Sequence, residues 1–371
     1  MLSRTADHIY WMSRYLERAE NTVRLLEVCY QTTLMTNDED HSDYSWRSVL
    51  TTLEALEQYE AECGAVSADR VIDFVVNSKN YASSIASCIR MARENVRAIR
   101  GTVTSEVWET INFTWLEMNR LLKTPVLGSN PTRFFEWLKT RSLQTLGAQE
   151  GTMLRNETYN FMRMGTYLER ADNTARMLEI RFYLENAADD KRKLVTQLYH
   201  WTAVLRSLSG LEIYRQVFRE TVDPKRVIEL IVLHPDMPHS LAHSSRELLT
   251  HLQKVRNAKS DETLRLTGRL DLDEEAFVQA LVNEYAPGAG IGWHRDRPVY
   301  GEILGVSFLA PCVMRLRRKD GTGWRRSAAP LAPGSAYRLS GEARSDWEHS
   351  ISPMTALRYS ITFRTLAGQS V

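Results

Sequence analysis

The chain has 371 residues, 43% of them hydrophobic, and its 47 Lys and Arg stand against 46 Asp and Glu for a formal net charge of +1. That length accommodates about two domains of roughly 100–200 residues, each large enough to bury a core. The balanced charge excludes a global electrostatic attraction to nucleic acid or membrane, so neither partner is read from it. The opening "MLSRTADHIYWM" lacks the basic, apolar and small-residue zones of a secretory signal, and no apolar run of about 18 residues exists to span a bilayer. A cytoplasmic protein without membrane association is expected. Cys29, Cys63, Cys88 and Cys312 lie far apart without Cys-x-x-Cys spacing, which fits reduced, packed thiols.

The first predicted element is a long amphipathic helix, because Ile9, Met12, Leu16, Ala19, Val23, Leu26 and Tyr30 recur at steps of three and four. Helices are also predicted over 84–101, closed by Gly101, and over 104–122. The seam then returns at Phe161, Met164, Leu168, Ala171, Ala175, Leu178 and Phe182. The letters return as well: "YLERAENTVRLLE" (15–27) matches "YLERADNTARMLE" (167–179) at an offset of 152 residues. Amphipathicity alone preserves apolar classes and not polar identities, so an internal duplication is the better reading. Away from the seam, Glu17, Asn21 and Arg24 share one helix face, and Glu169, Asn173 and Arg176 repeat them. Either a solvated, ion-paired face or a buried polar network accounts for this. A further helix is predicted over 239–255.

"MLSRTADHIYWMSRYLERAENT", "ARENVRAIRGTVTSEVWETIN" and "YLERADNTARMLE" resemble the alpha-E family, an all-helical bacterial domain, from Met1 to about Arg269. The resemblance implies a helical bundle and partners among ATP-grasp and transglutaminase-like proteins of peptide-modifying systems.

After Leu270 the pattern becomes that of β structure. The segment "LDLDEEAF" (270–277) forms the junction and fits a short helix. Eight short runs follow: "ALVNEYAP", "GIGWH", "LGVSFLA", "CVMRLRR", "GWRRSAA", "GSAYRLSG", "DWEHSIS" and "LRYSITFRTL". Gly, Pro and Asp turn signals separate them, as in a sandwich or jelly roll. His294 and Asp296 form a His-x-Asp pair behind a Tyr-Ala-Pro-Gly turn, and His349 lies 53 residues beyond Asp296. Two imidazoles and one carboxylate make the facial set that leaves open positions on non-haem Fe(II), whereas zinc favours a fourth protein ligand or a single open site. Arg358 and Arg364, six residues apart on a strand, point to one face. Two guanidiniums on an interior face call for anions, and 2-oxoglutarate carries two carboxylates.

"NEYAPGAGIGWHRDRP", "SGEARSDWEHSI" and "RYSITFR" resemble, in order and spacing, the catalytic half of the AlkB-like Fe(II) and 2-oxoglutarate-dependent dioxygenases. The resemblance implies that His294, Asp296 and His349 hold iron and that Asn283 and Tyr285 contact 2-oxoglutarate. Arg358 would bind the distal carboxylate of 2-oxoglutarate, and Arg364 would lie near the carboxylate that chelates the metal. In such enzymes 2-oxoglutarate and O2 are cosubstrates, and oxidative decarboxylation drives hydroxylation of a methyl group on a nucleobase, which then leaves as formaldehyde. Two features depart from the family. The stretch ahead of "NEYAPG", where relatives carry a lid for the flipped nucleotide, holds alpha-E sequence, and Pro298 stands where the repair branch has a carboxylate. Six basic residues between Arg315 and Arg326, with Trp324, suit either a nucleic-acid backbone or a solvated hairpin.

The expected molecule is a multidomain α and β protein: an alpha-E-like helical bundle over 1–269, then over 270–371 a double-stranded β-helix shortened at its N-terminal side and lacking the lid. Its expected function is oxidative demethylation of N-alkylated bases in DNA or RNA, as in DNA repair, acting on methylated single strands. The alternatives are a helical scaffold in a peptide-modifying system with an inactive oxygenase remnant, and a dioxygenase acting on protein or a small molecule.

Overall fold

The computed structural model describes residues 1–35, 39–178, 180, 190–255, 277–285, 287–308, 310–321, 323–333, 335–356 and 358–367. The chain forms two compact units, Met1–Asp271 and Leu272–Val371. Among the described residues the first is helical: α1 Ser3–Met35, α2 Glu39–Thr52, α3 Leu56–Cys63, α4 Ala68–Asn77, α5 Ile85–Ala98, α6 Ser105–Leu121, α7 Val126–Ser129, α8 Pro131–Thr152, α9 Glu157–Met177, α10 Asp190–Ser207, α11 Leu211–Phe218, α12 Pro224–Leu233 and α13 Leu241–Lys254. Short polar side chains fix several starts. Ser84, Asn130, Asn156 and Ser240 accept from the backbone N–H three residues on, and Pro131 follows one of these caps. No described helix is long and apolar enough to cross a membrane.

In α1 the seam packs as its spacing predicts, with Ile9, Met12, Ala19, Val23 and Leu26 all fully buried. Ile9 and Met12 meet Val96 of α5, Val107 and Ile111 of α6 and Met162 of α9 in one core. Each such side chain contributes about 1.5–3 kcal/mol by leaving water.

The second copy behaves differently, and the expectation of a single apolar seam fails there. In α9, Phe161, Leu168, Ala171 and Ala175 are only half-buried, whereas Thr158, Asn160, Arg163, Thr166, Glu169, Arg170 and Thr174 are buried. Packing of α9 against both α1 and α13 encloses its polar side as well. Charge pairing between the copies makes this tolerable. Glu17 accepts from Arg170 Nε at 2.6 Å, and Glu169 accepts from Arg18 Nε at 2.6 Å and from Arg14 Nε at 2.6 Å. Each copy's glutamate thus takes the other copy's arginine, a reciprocal exchange between "YLERA" segments. Glu17 and Asn21 are 6% and 5% exposed, so the shared polar face is a buried network and not a solvated one. Arg24 and Arg176 lie at its edge on Glu20 and Asp172, four residues away in each case.

The two helices approach closely at Gly165, where a Cβ would meet the Tyr10 carbonyl oxygen and Ser13. The obstacle is backbone, so Gly165→Ala forces α1 and α9 apart. A loss of about 1–3 kcal/mol in urea denaturation of the helical unit is expected.

The second unit has eight strands among its described residues: β1 Phe277–Tyr285, β2 Ile291–His294, β3 Tyr300–Phe308, β4 Cys312–Asp320, β5 Gly323–Leu331, β6 Ala336–Leu339, β7 Glu348–Ile351 and β8 Arg358–Leu366. One sheet runs β1-β8-β3-β6 and the other β2-β7-β4-β5, the two-sheet order of a jelly roll. All eight strand runs read from the sequence are present, so any shortening at the N-terminal side lies ahead of β1 and not within the eight strands. The junction "LDLDEEAF", apart from Phe277 at the start of β1, and Phe182 of the second seam lie outside the described residues. A small core of Ile303, Met314, Leu331 and Leu339 joins the sheets, and Tyr285, Ala310, Ile351 and Met354 form a second. Described cysteines are all free, Cys29 and Cys88 being buried.

Candidate metal centre

Strand pairing brings the distant ligands together. β2 and β7 are antiparallel with His294 directly opposite His349, and Asp296 follows β2 by two residues. The imidazole centroids are 4.3 Å apart, and Asp296 Oδ2 lies 3.5 Å from His349 Nε2. One ligand atom from each of the three residues falls within 4.8 Å of the others. His294 Nδ1 lies 2.9 Å from the Gly292 carbonyl, which can only accept, so Nδ1 donates there and Nε2 is the atom left for a metal. Burial, then the adjacent His294 ring, push the His349 imidazolium down to about 4, so this ring is neutral near pH 7. Two imidazoles and a carboxylate on one side of a small cavity are the donor set of a non-haem iron site.

The loop carrying Asp296 is held from outside. Arg344, on the helical turn Glu342–Ser345, donates to the carbonyls of Arg297 and Tyr300 at 2.7 Å each. Arg364 of β8 donates to Asp296 Oδ1 from Nη2 at 3.0 Å and from Nε at 3.2 Å. The resemblance to the AlkB-like dioxygenases implied that Arg364 lies near the metal-chelating carboxylate of 2-oxoglutarate. In the structure it grips the protein's own carboxylate, leaving Oδ2 on the imidazole side.

Alternation along β8 puts Arg358, Ser360, Thr362 and Arg364 on one interior face, and register sets Asn283 opposite Ser360 and Tyr285 opposite Arg358. Asn283, Tyr285, Ser360, Thr362 and Arg364 line a cavity of about 40 Å³ with the three candidate ligands. Arg358 is fully enclosed, 4.9 Å from the Tyr285 ring centroid, with Nε donating to Ser307 Oγ at 3.1 Å. Its Nη1 and Nη2 are buried without a hydrogen-bond partner. A buried guanidinium with two unpartnered donors has the chemistry that a carboxylate would complete.

The sequence reading missed Tyr337 and Ser307. Tyr337 lines the cavity, and burial pushes its phenol up to about 12, so it stays protonated as a donor. Its ring lies where a side chain at Gly305 would stand. A glycine inside an otherwise regular strand is the signal that marks such a close approach.

On the outer sheet β4 and β5 form the expected hairpin. Arg317 stacks between Trp293 and Trp324, 4.3 and 4.2 Å from their centroids, and Arg315 also lies over Trp293. Arg317 and Arg318 are ion-paired to Glu348 and Glu342, while Lys319, Arg325 and Arg326 are exposed beside the half-exposed Trp324.

A jelly roll whose sheets face two histidines and a carboxylate, backed by an enclosed arginine, defines a 2-oxoglutarate and Fe(II) oxygenase fold. Residues 218–364 match the 2OG-Fe(II) oxygenase superfamily, whose members use Fe(II), 2-oxoglutarate and O2. Residues 1–281 match Alpha-E, described as a predicted alpha-helical domain with a conserved ER motif, and the chain belongs to that family. The exchanged Glu17-Arg18 and Glu169-Arg170 dipeptides are the Glu-Arg sequences of its two repeats. Among curated proteins, the chain is 36% identical over 90 residues to an Arabidopsis thaliana protein named alkylated DNA repair protein ALKBH8 homolog, covering 20% of this chain and 26% of the relative. It is 30% identical over 106 residues to protein L905 of Acanthamoeba polyphaga mimivirus, covering 25% of this chain and 50% of the relative. The chain thus spans between a quarter and half the length of these relatives.

Proposed function

We propose that the β unit is an Fe(II)- and 2-oxoglutarate-dependent dioxygenase that removes methyl groups from N-alkylated bases of single-stranded DNA or RNA. The observation that carries the oxygenase reading is Arg358, whose enclosed, unpartnered Nη atoms call for a carboxylate, on a guanidinium packed against Tyr285 of the cavity that holds His294, Asp296 and His349. Those three residues hold the metal, Arg358 anchors the far carboxylate of 2-oxoglutarate, and Asn283, Tyr285 and Tyr337 orient it from the cavity wall. Bound there, Fe(II) with O2 supplies the oxidising chemistry. Arg364 fixes the Asp296 carboxylate so that one oxygen is committed to the metal side. The nucleic-acid reading is supported by Lys319, Arg325 and Arg326 around Trp324, a cationic edge with a stacking face, and by the Arabidopsis relative's name.

We place the unit boundary near residue 269 and the missing lid ahead of β1. Turnover without that lid is therefore slow and poorly coupled. The reading is tested by anaerobic addition of Fe(II) and 2-oxoglutarate, followed for a metal-to-ligand charge-transfer band, and then by succinate and formaldehyde release on N-methylated oligonucleotides. A band with succinate in excess over formaldehyde is expected. Absence of the band and of any 2-oxoglutarate turnover defeats the oxygenase reading. Succinate release unaffected by methylated DNA or RNA defeats the nucleic-acid substrate and favours a protein or small molecule. A cytoplasmic location, with no membrane association, belongs to the same proposal.

A second reading rests on the extent of the Alpha-E match, residues 1–281, which is most of the chain. In it the helical unit is the working part, a scaffold for ATP-grasp or transglutaminase-like partners, and the β unit is an inactive remnant. Iron content after anaerobic reconstitution separates the two.

A further inference from the structure

The duplicated helices, together with Thr52, Leu53, Glu54, Tyr81 and Ser83, line a second, open cavity of about 240 Å³ within the helical unit and beside the exchanged Glu169–Arg18 pair. Its wall includes Asn21 and Asn173, the same position of the two repeats, together with Arg18, Asp172, Arg176 and Glu54. Asn21 is 5% exposed, and both its Oδ1 and its Nδ2 are buried without a partner. A fold that satisfies Glu17, Glu169, Arg170 and Arg18 leaves this one amide orphaned, at a cost of about 1–3 kcal/mol for the unmade hydrogen bonds. The other cavity along this helix pair, around Glu17 and Arg170, is smaller, about 30 Å³, and its wall, among the described residues, holds no unpartnered amide.

The chemistry of the larger cavity's wall narrows what guest fits it. An amide that lacks both a donor and an acceptor partner is matched by another amide, which supplies the two in one plane. Arg18 is already engaged by Glu169 and by Ser83. The rim holds Arg176 beside Asp172 and Glu54 at 2.9 and 2.8 Å. The wall carries two arginines against three carboxylates, so its formal charge is one negative. A carboxylate of the guest meets Arg176, and an ammonium meets Asp172 and Glu54. The volume lies below the roughly 300–1,000 Å³ of sites for drug-sized ligands, which limits the guest to about the size of an amino acid.

We propose that this cavity binds a zwitterionic carboxamide of amino-acid size, whose amide completes Asn21 beside Asn173 and whose charged end is held by Arg176, Asp172 and Glu54. Because the site lies wholly in the helical unit, the proposal is independent of iron chemistry.

The test uses the full-length protein with L-glutamine as probe and L-glutamate, of equal size but without the amide donor, as control. Titration calorimetry or saturation-transfer NMR is expected to show saturable glutamine binding and, for glutamate, binding weaker by on the order of tenfold. Asn21→Leu is expected to weaken glutamine by a similar factor while leaving the melting temperature of the helical unit unchanged or raised, since it removes the orphaned amide. A residue with a merely structural role would lower the melting temperature and leave binding intact. Asn173→Ala, at a less buried position, provides the same reading if the first variant does not fold. No saturable glutamine binding to the wild-type protein, equal binding of glutamate, or glutamine affinity unchanged in the folded variants overturns the proposal.

Discussion

Glu17→Ala destabilises the helical unit by about 3–5 kcal/mol, and Glu169→Ala by only about 1–2, although the two residues are equivalent in the repeat. The difference comes from the arginine each variant leaves behind. Arg170, the partner of Glu17, has a side chain 11% exposed, so deleting Glu17 strands a guanidinium with little access to water. Arg18 and Arg14, the partners of Glu169, are 26% and 16% exposed and turn outward to recover solvent. Burial lifts the Glu17 carboxyl above its ordinary value against the opposing pull of Arg170. Replacing Glu17 and Arg170 together by leucine is therefore expected to cost less than Glu17→Ala alone. Urea denaturation followed at 222 nm measures all three. Equal losses for the two glutamates, or a larger loss for Glu169, would show that burial of the surviving arginine does not set the cost.

The second large effect is at Arg358. Alanine there is expected to spare Fe(II) binding and to weaken 2-oxoglutarate by about 2–4 kcal/mol, roughly 30- to 1,000-fold, the loss of a charge-assisted pair in an enclosed site. His294→Ala or Asp296→Ala is expected to abolish iron binding altogether. Arg358 also carries a prediction for the protein without cosubstrate. A fully buried guanidinium held by a tyrosine ring and a single serine is a net burden until its Nη atoms are paired. Arg358→Met should therefore melt no lower than wild type in the absence of 2-oxoglutarate and lower than wild type in its presence. A large loss of stability without cosubstrate would make Arg358 a packing residue, and unchanged affinity would displace it as the anchor.

The β unit was legible strand by strand, because its turns are marked by Gly, Pro and Asp and its strands are short enough for alternation to show. The ligand cluster was legible because β2 ends on "WH" and β7 carries "EHSI", so the two histidines needed only an antiparallel pairing to meet. Tyr337 was not legible, since an aromatic on a short strand reads as core until the gap at Gly305 shows which way the ring turns. The interior of the helical unit was half legible. Apolar spacing gave the buried face of α1, but no local pattern announces that the polar side of α9 is enclosed too. That information lies in pairs 151 and 153 residues apart, and only the repeated identities of "YLERA" hinted at it. Asn21 shows the limit: its repetition at Asn173 pointed to a buried polar face, but nothing local announced that its own amide would be left without a partner.

The exchange of arginines between the copies also sets an order in time. During synthesis α1 emerges with Glu17, Arg18 and Arg14 all unpaired, and their partners follow only after some 150 further residues. At about 5–20 residues per second this is a wait of roughly 10–30 s. Throughout it the apolar stripe from Ile9 to Leu26 is next to charges whose partners in the finished fold have not yet been made. Neither copy can close its own core, so the unit commits to its structure late, when α9 arrives. A ribosome stalled or a chain cut between the copies would release a segment whose exposed seam and unpaired charges mark it as unfinished, and a chaperone or protease would meet it in that state.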